Sequence, residues 1–291
     1  VVADARETIN ELIPALSGFK VAPELSARIK NEVEFWNKTV DEAFVDKKLA
    51  KPSQTEIIGA VNSASDPRDI VICAAGSLPG DLHKLWRTRD PLGYHVEYAF
   101  SCMGYEIAAG LGAARAGAMP IVMVGDGSYL MMHTEIVSAV AEGLKFIIVL
   151  IQNHGFASIG HLSEDIGSQR FGTQYRYHNQ SANNFEGSEK LPVDLAANAA
   201  SLGINVIDIA QTPSAISDLH QAVKAAKKSE KATLIHINSD PLLYSPGGEG
   251  WWDVPIAPIS TLESTHAAYK KYAEEIQQQR PLLGNGTADK K

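Results

Sequence analysis

Cysteine is nearly absent: Cys73 and Cys102 are the only two among 291 residues. Neither their number nor their spacing builds a disulfide framework or a zinc site. The pair reads as buried free thiols in a reducing cytoplasm. Positive charge is also scarce. The 26 Lys and Arg are outnumbered by 34 Asp and Glu, for a formal net charge of −8. With no basic stripe and no interleaved aromatics, a nucleic-acid partner is not expected. No apolar run approaches the roughly 20 residues of a membrane span. The opening Val1-Val2-Ala3-Asp4-Ala5-Arg6 has neither an initiator Met nor the charged-then-apolar order of a signal peptide. Its apolar-to-acidic step looks like the end of a buried strand, so the chain is expected to begin inside a domain. Internal repeats are lacking too. What remains, 45% hydrophobic and 21% charged, is the composition of an ordinary globular protein. The length suits one large domain or two small ones.

Helical spacing of apolar residues runs over Glu7 to Leu16 and Pro23 to Val45, with Pro23 suited to a first turn. The charged, proline-containing stretch from Asp46 to Ser53 reads as a linker, and Ser53 as the cap of a helix through Ile57, Ile58 and Val61. Short apolar runs then alternate with helical segments. Strands are predicted at Ile70–Cys73, Pro120–Val124, Phe146–Ile151, Asn205–Ile209 and Thr233–Ile237. Helices are predicted after a Gly76–Gly80 turn through Trp86, over Met103–Ala116, Ser128–Glu142, Pro192–Leu202 and Pro213–Lys228. The fold class is therefore α/β, an open parallel sheet with helices on both faces. Gly155 to Leu191 reads as one long loop, of a length that suggests function. A final helix is predicted to start at Ser260, with Glu263 completing a capping box, and Asn285 to Lys291 reads as a frayed tail.

The chemistry concentrates in Gly125-Asp126-Gly127-Ser128 and Asn153-His154-Gly155. Both lie at carboxyl ends of predicted parallel strands, where open α/β sheets bind ligands. One crossover helix separates them, so adjacent strands about 4.8 Å apart bring Asp126 and Asn153 together. A carboxylate, an amide oxygen and a backbone carbonyl form a hard oxygen set for magnesium or calcium. Gly127 and Ser128 open the next helix and direct backbone N–H groups at an anion. A metal-bridged diphosphate satisfies both demands. Gly-Asp-Gly alone is more often a plain turn; the strand–motif–helix–strand–Asn context overturns that reading here.

This pattern resembles the thiamine diphosphate motif of the acetolactate synthase-like enzymes, over roughly residues 50–245. The resemblance implies that Asp126, Asn153 and the carbonyl of Gly155 bind magnesium, and that Gly125, Gly127 and Ser128 hold the diphosphate. Gly76-Ser77-Leu78 falls at the family's other diphosphate loop. Ser101-Cys102-Met103-Gly104-Tyr105 resembles the segment that receives the aminopyrimidine, with Met103 the wedge that bends the cofactor and the backbone at Ser101 and Met103 meeting ring nitrogens. Residues 1–45 then correspond to the end of a central domain and its linker helix, 46–245 to the cofactor domain, and 246–291 to a C-terminal extension and helix. Longer strings, Ala74-Ala75-Gly76-Ser77-Leu78-Pro79-Gly80-Asp81-Leu82-His83-Lys84-Leu85-Trp86, Asn153 through Ile159, and Trp251-Trp252-Asp253-Val254-Pro255, are similar to the branch that hydrolyses trihydroxycyclohexane-1,2-dione in inositol catabolism. There the ring opens to a deoxy sugar acid, 5-deoxyglucuronate. The alternatives are an acetolactate synthase-like decarboxylase or carboligase of 2-oxo acids, and a non-catalytic module that keeps the fold. His154 stands where many relatives carry a second Asn. The family's activating glutamate belongs to an N-terminal pyrimidine domain, usually of a second subunit in a homodimer or homotetramer, and maps onto no glutamate of this sequence. The chain alone is therefore expected to be inactive.

Several residues have two readings. His95 and Glu97 alternate just before the pyrimidine-binding segment; they either handle protons or substrate hydroxyls, or are ordinary polar strand positions. His154 adjoins a metal ligand and either has a cofactor role or a local structural one. His133 reads as a packing or surface residue, and Met123, Met131 and Met132 as core filler. Tyr175, Arg176, Tyr177 and His178 either close over substrate or form a solvated loop.

Overall fold

The computed structural model describes residues 2–185, 187, 189–247 and 253–279. The expectations for Trp251 and Trp252, and for a tail from Asn285, lie outside the described residues. The chain divides into two compact units, Val1–Glu42 and Ala43–Lys291. In the first, Asp4 caps α1 (Ala5–Ala15), its carboxylate accepting from the Arg6 and Glu7 amides at 2.9 and 3.1 Å. There α2 (Pro23–Ala43) begins at Pro23, whose missing N–H costs nothing in a first turn.

The second unit opens with α3 (Gln54–Ala64). Ser53 caps it in a reciprocal capping box: its hydroxyl accepts from the Glu56 amide at 3.2 Å, and Glu56 accepts from the Ser53 amide at 2.9 Å. Then follow β1 (Ile70–Cys73), α4 (Ser77–Leu85), β2 (Tyr94–Val96), α5 (Tyr105–Arg115), β3 (Pro120–Gly125), α6 (Asp126–Met131), α7 (Glu135–Ala141), β4 (Ile147–Gln152), α8 (Ala157–Asp165), α9 (Leu195–Ser201), β5 (Asn205–Asp208), α10 (Ala215–Lys228), β6 (Thr233–Asn238) and α11 (Glu263–Glu275). The strands form one sheet in the order β2-β1-β3-β4-β6-β5, and every pairing is parallel. Helices α3, α4 and α10 pack on one face and α5, α7 and α9 on the other. Every residue of β4 is buried, which is why these strands read as unbroken apolar runs rather than alternating ones. The α5 face packs through Tyr129, Phe146, Ile107, Leu111 and Val122. It sits close because Gly110 lacks a side chain: a β-carbon there would collide with Val122 and lie 3.3 Å from the Phe146 ring.

Four local expectations are corrected. The helix predicted over Ser128–Glu142 is two helices, broken at Met132 (φ −150°, ψ 79°). Met132 packs where a side chain on Gly104 would stand, 2.7 Å from its Cβ, and His133 stacks on Tyr129 while its Nδ1 lies 3.0 Å from the Tyr129 carbonyl. The long loop contains α8, a nine-residue helix whose Ile159 and Leu162 are exposed and whose one buried residue is Gly160. α11 begins at Glu263 with no side-chain cap; Ser260 instead accepts from the Leu262 amide at 3.1 Å in a local turn. Of the supposed core thiols and methionines, Cys73 and Met123 are buried, but Cys102, Met131 and Met132 are exposed, because they belong to loops and a helix end at the carboxyl edge of the sheet.

Candidate functional site

Sequence order carries the chain to opposite sides of β1 when it makes β2 and then β3. That reversal opens a crevice at the carboxyl ends of the central strands, the usual ligand position in such sheets. The segments after β1, β3 and β4 carry Gly76, Asp126 and Asn153 to that edge.

Asp126, almost wholly buried, ties two of these loops together. Its Oδ1 accepts from the Gly127 amide at 3.0 Å, and its Oδ2 from the amides of His154 and Gly155 at 2.7 and 3.1 Å. Burial pushes its carboxyl up to about 6, against the pull of those amides. The turn it grips is sharp, with His154 at φ 69° and Gly155 at φ 153°. Immediately before it, Asn153 Oδ1 is buried and has no hydrogen-bond partner. An orphaned buried acceptor costs about 1–3 kcal/mol, and a hard cation shared with a neighbouring carboxylate removes that cost. Among the described residues no three His, Cys, Asp or Glu side chains gather as a metal site. A cation here would have to be held by one carboxylate with amide and carbonyl oxygens, the donor set that Asp126, Asn153 and Gly155 contain. The residues present fit magnesium.

The Ser101–Tyr105 segment meets this turn. A β-carbon on Gly127 would lie 2.8 Å from the Phe156 ring and 3.3 Å from Met103 Cε, so Met103, Gly127 and Phe156 share one cradle. Ser101 and Gly104 have positive φ, 52° and 94°. Glu106, buried in the first turn of α5, accepts from the Gly104 amide at 2.9 Å. Burial raises its carboxyl, opposed by hydrogen bonds from the Ser128 hydroxyl and the Gly104 and Ala75 backbone. It therefore links the Gly76 loop, the Met103 loop and Ser128. Glu106 was not singled out from the sequence, although a carboxylate inside the small-residue helix Tyr105-Glu106-Ile107-Ala108-Ala109-Gly110 was the available anomaly.

The three candidate acid–base residues make the following contacts. Glu97 accepts from the amides of Phe100 and Cys102 at 3.0 and 2.7 Å, which hold its carboxyl below the usual range and pin the loop before Met103. His95 is exposed, with Nε2 2.7 Å from the Tyr105 hydroxyl. The His154 ring bonds to Gln152 and Leu191, while its backbone amide bonds to Asp126. Gln152 Nε2 donates to its Nδ1 at 3.1 Å and to the Val193 carbonyl at 3.2 Å, so the His154 proton sits on Nε2 and is donated to the Leu191 carbonyl at 2.8 Å. Beyond Gln152, His236 Nε2 donates to Oε1 at 2.7 Å, with Asp208 on the far nitrogen at 2.7 Å. This chain of contacts across β4, β6 and β5 braces the His154–Gly155 turn. Ser77, at the head of α4, donates to Gln54 Oε1 at 3.2 Å.

Residues 74–237, from the end of β1 to β6, match the family described as thiamine pyrophosphate enzyme, C-terminal TPP binding domain. The chain belongs to that family. The match spans the loops just described. Over 96% of its length the chain is 35% identical to a 3D-(3,5/4)-trihydroxycyclohexane-1,2-dione hydrolase 2 of Bacillus cereus. It is as similar, over the same share, to the 3D-(3,5/4)-trihydroxycyclohexane-1,2-dione hydrolase of Bacillus anthracis. It covers 47% of each, so the chain spans about half the length of these relatives. Benzoylformate decarboxylase from Polynucleobacter necessarius shares the fold, with a TM-score of 0.52 and 16% identity over 65% of this chain and 33% of that one. This thiamine pyrophosphate-binding domain is therefore an α/β open parallel sheet, as its alternating apolar runs imply. No helix among the described residues is long and apolar enough to cross a membrane.

Proposed function

We propose that this chain is the cofactor-holding part of a magnesium- and thiamine diphosphate-dependent hydrolase that opens a trihydroxycyclohexane-1,2-dione ring to a deoxy sugar acid. The orphaned, buried Asn153 Oδ1 next to the turn gripped by Asp126 carries the metal half of this reading. Similarity, at 35% identity along 96% of the chain, to relatives named trihydroxycyclohexane-1,2-dione hydrolase supports the substrate half. Asp126, Asn153 and the Gly155 carbonyl would hold magnesium. Gly125, Gly127 and Ser128, with Gly76 and Ser77, would hold the diphosphate. Met103 and the backbone at Ser101 would seat the aminopyrimidine. When bound, the cofactor supplies a nucleophilic carbon able to cleave a carbon–carbon bond beside a carbonyl. The chain's own groups orient it: Glu106 locks the loops and the Gln152–His154 contacts hold the metal turn.

The activating acid belongs, in this reading, to a pyrimidine domain outside residues 1–291, on the same or a second subunit. Tyr98, Phe100, Leu130 and Met131, around the cradle, are exposed, which suits a surface that another domain covers.

The test uses the complete protein that carries these residues. Calorimetry should show magnesium-dependent thiamine diphosphate binding that Asp126→Ala removes, since a charged ligand is lost. Supplied with the cyclic dione and pyruvate at equal concentration, the enzyme should give the ring-opened acid, identified by mass. Sites built for hydroxyls reject analogues lacking them by about 10⁴-fold or more. Acetolactate or acetaldehyde with the dione untouched would point instead to a 2-oxo acid decarboxylase or carboligase.

A further inference from the structure

Among the described residues, three buried side-chain polar atoms lack a hydrogen-bond partner: Thr55 Oγ1, Asn153 Oδ1 and the Tyr175 hydroxyl. Two of the three belong to one pair of loops. The Tyr175 backbone is fixed from both sides, its amide donating to the His154 carbonyl and its carbonyl accepting from the Leu191 amide, each at 3.0 Å. Its neighbour Gln174 pairs with Gly155. The Tyr175 ring stands 5.8 Å, edge to face, from Phe156, the ring that touches Gly127, and 5.9 Å from His154. The ring thus packs beside the Asp126 turn with its hydroxyl buried. A tyrosine hydroxyl carries its proton at neutral pH and is available as a donor. If packing were its whole task, phenylalanine would fill the space without the cost of about 1–3 kcal/mol for an unmet polar group.

We propose that the Tyr175 hydroxyl is a ligand-binding group, donating a hydrogen bond to an anionic oxygen of a diphosphate held at the Asp126–Asn153 turn. This rests on the cofactor reading above and adds to it a contact from a loop distant in sequence. A water on the metal could receive the same bond, and the probes below separate the two.

The experiment compares the complete wild-type protein with Tyr175→Phe and Asp126→Ala, without ligand and with three probes: magnesium alone, magnesium with inorganic pyrophosphate, and magnesium with thiamine diphosphate. Without ligand, Tyr175→Phe should melt at or above the wild-type temperature, because an unsatisfied group is removed. Its affinity for both diphosphate probes should fall about ten- to hundredfold, the worth of a hydrogen bond to a charged acceptor, while its response to magnesium alone stays unchanged. A lower melting temperature with unchanged binding would make the hydroxyl structural and overturn the proposal. An equal loss with magnesium alone would assign it to a metal-bound water and overturn the diphosphate contact. Unchanged binding by Tyr175→Phe while Asp126→Ala binds nothing defeats only this inference. Wild-type-like binding by Asp126→Ala defeats the cofactor reading and this inference with it.

Discussion

Replacing Gly155 by alanine should destabilise this chain far more than the same change at Gly76, and the difference measures how tightly the turn gripped by Asp126 is built. Both glycines have positive φ, 153° and 91°, a backbone strain of about 1–3 kcal/mol for any other residue. Around Gly76 there is open space, and a new methyl group meets nothing within 4 Å. At Gly155 the methyl would collide with the Thr173 carbonyl oxygen and stand 2.8 Å from Gln174 Cα. These are backbone atoms and cannot swing aside as a side chain can. Relief requires the 173–175 segment to retreat, which breaks the Phe156–Thr173 and Tyr175–His154 backbone hydrogen bonds of 2.8 and 3.0 Å. Each is worth about 1 kcal/mol. The sum is about 3–5 kcal/mol for Gly155→Ala against about 1–3 for Gly76→Ala, a large part of the roughly 5–15 kcal/mol available to a domain. Urea unfolding followed by circular dichroism gives both values, with unchanged slopes showing that the same surface is exposed in each transition. Equal destabilisation of the two variants would refute the argument that the Thr173 backbone closes on Gly155.

Two further outcomes follow from the buried groups. Burial raises the Glu106 carboxyl above its ordinary 4.5; the stability this neutral form contributes is full below that value and is lost as pH rises through the raised one. Without ligand, Glu106→Gln should therefore gain on wild type as pH climbs from about 4 to 8, and a pH-independent difference between their unfolding midpoints would contradict a desolvated carboxylate. Cys73 is buried, with its thiol pushed up to about 11, whereas Cys102 is exposed. A thiol reagent at about pH 8 should therefore label one cysteine quickly and the second only on unfolding; two equally fast thiols would show that β1 is not covered.

What could be read from residue order was whatever depends on near neighbours. β3 and β4 are apolar up to their carboxyl ends because both their faces are covered, and that pattern is visible without coordinates. Asp126 and Asn153 could be placed at one edge because parallel strands joined by a crossover must end on the same side. Ser53 could be read as a cap because its partner Glu56 is three residues away. What only the tertiary structure decided involves partners far apart in the chain. Met132 leaves the helix to pack on Gly104, 28 residues earlier. Glu106 acquires its role from Ala75 and Ser128, and Gln152 braces His154 with the help of Val193 and His236. The Tyr175 hydroxyl is conspicuous only once Phe156 and the Asp126 turn have closed around it and left it without a partner. A periodicity or a cap needs only a few adjacent residues to be expressed. A buried polar contact is defined by which distant loops the sheet brings together, and by the water their packing excludes.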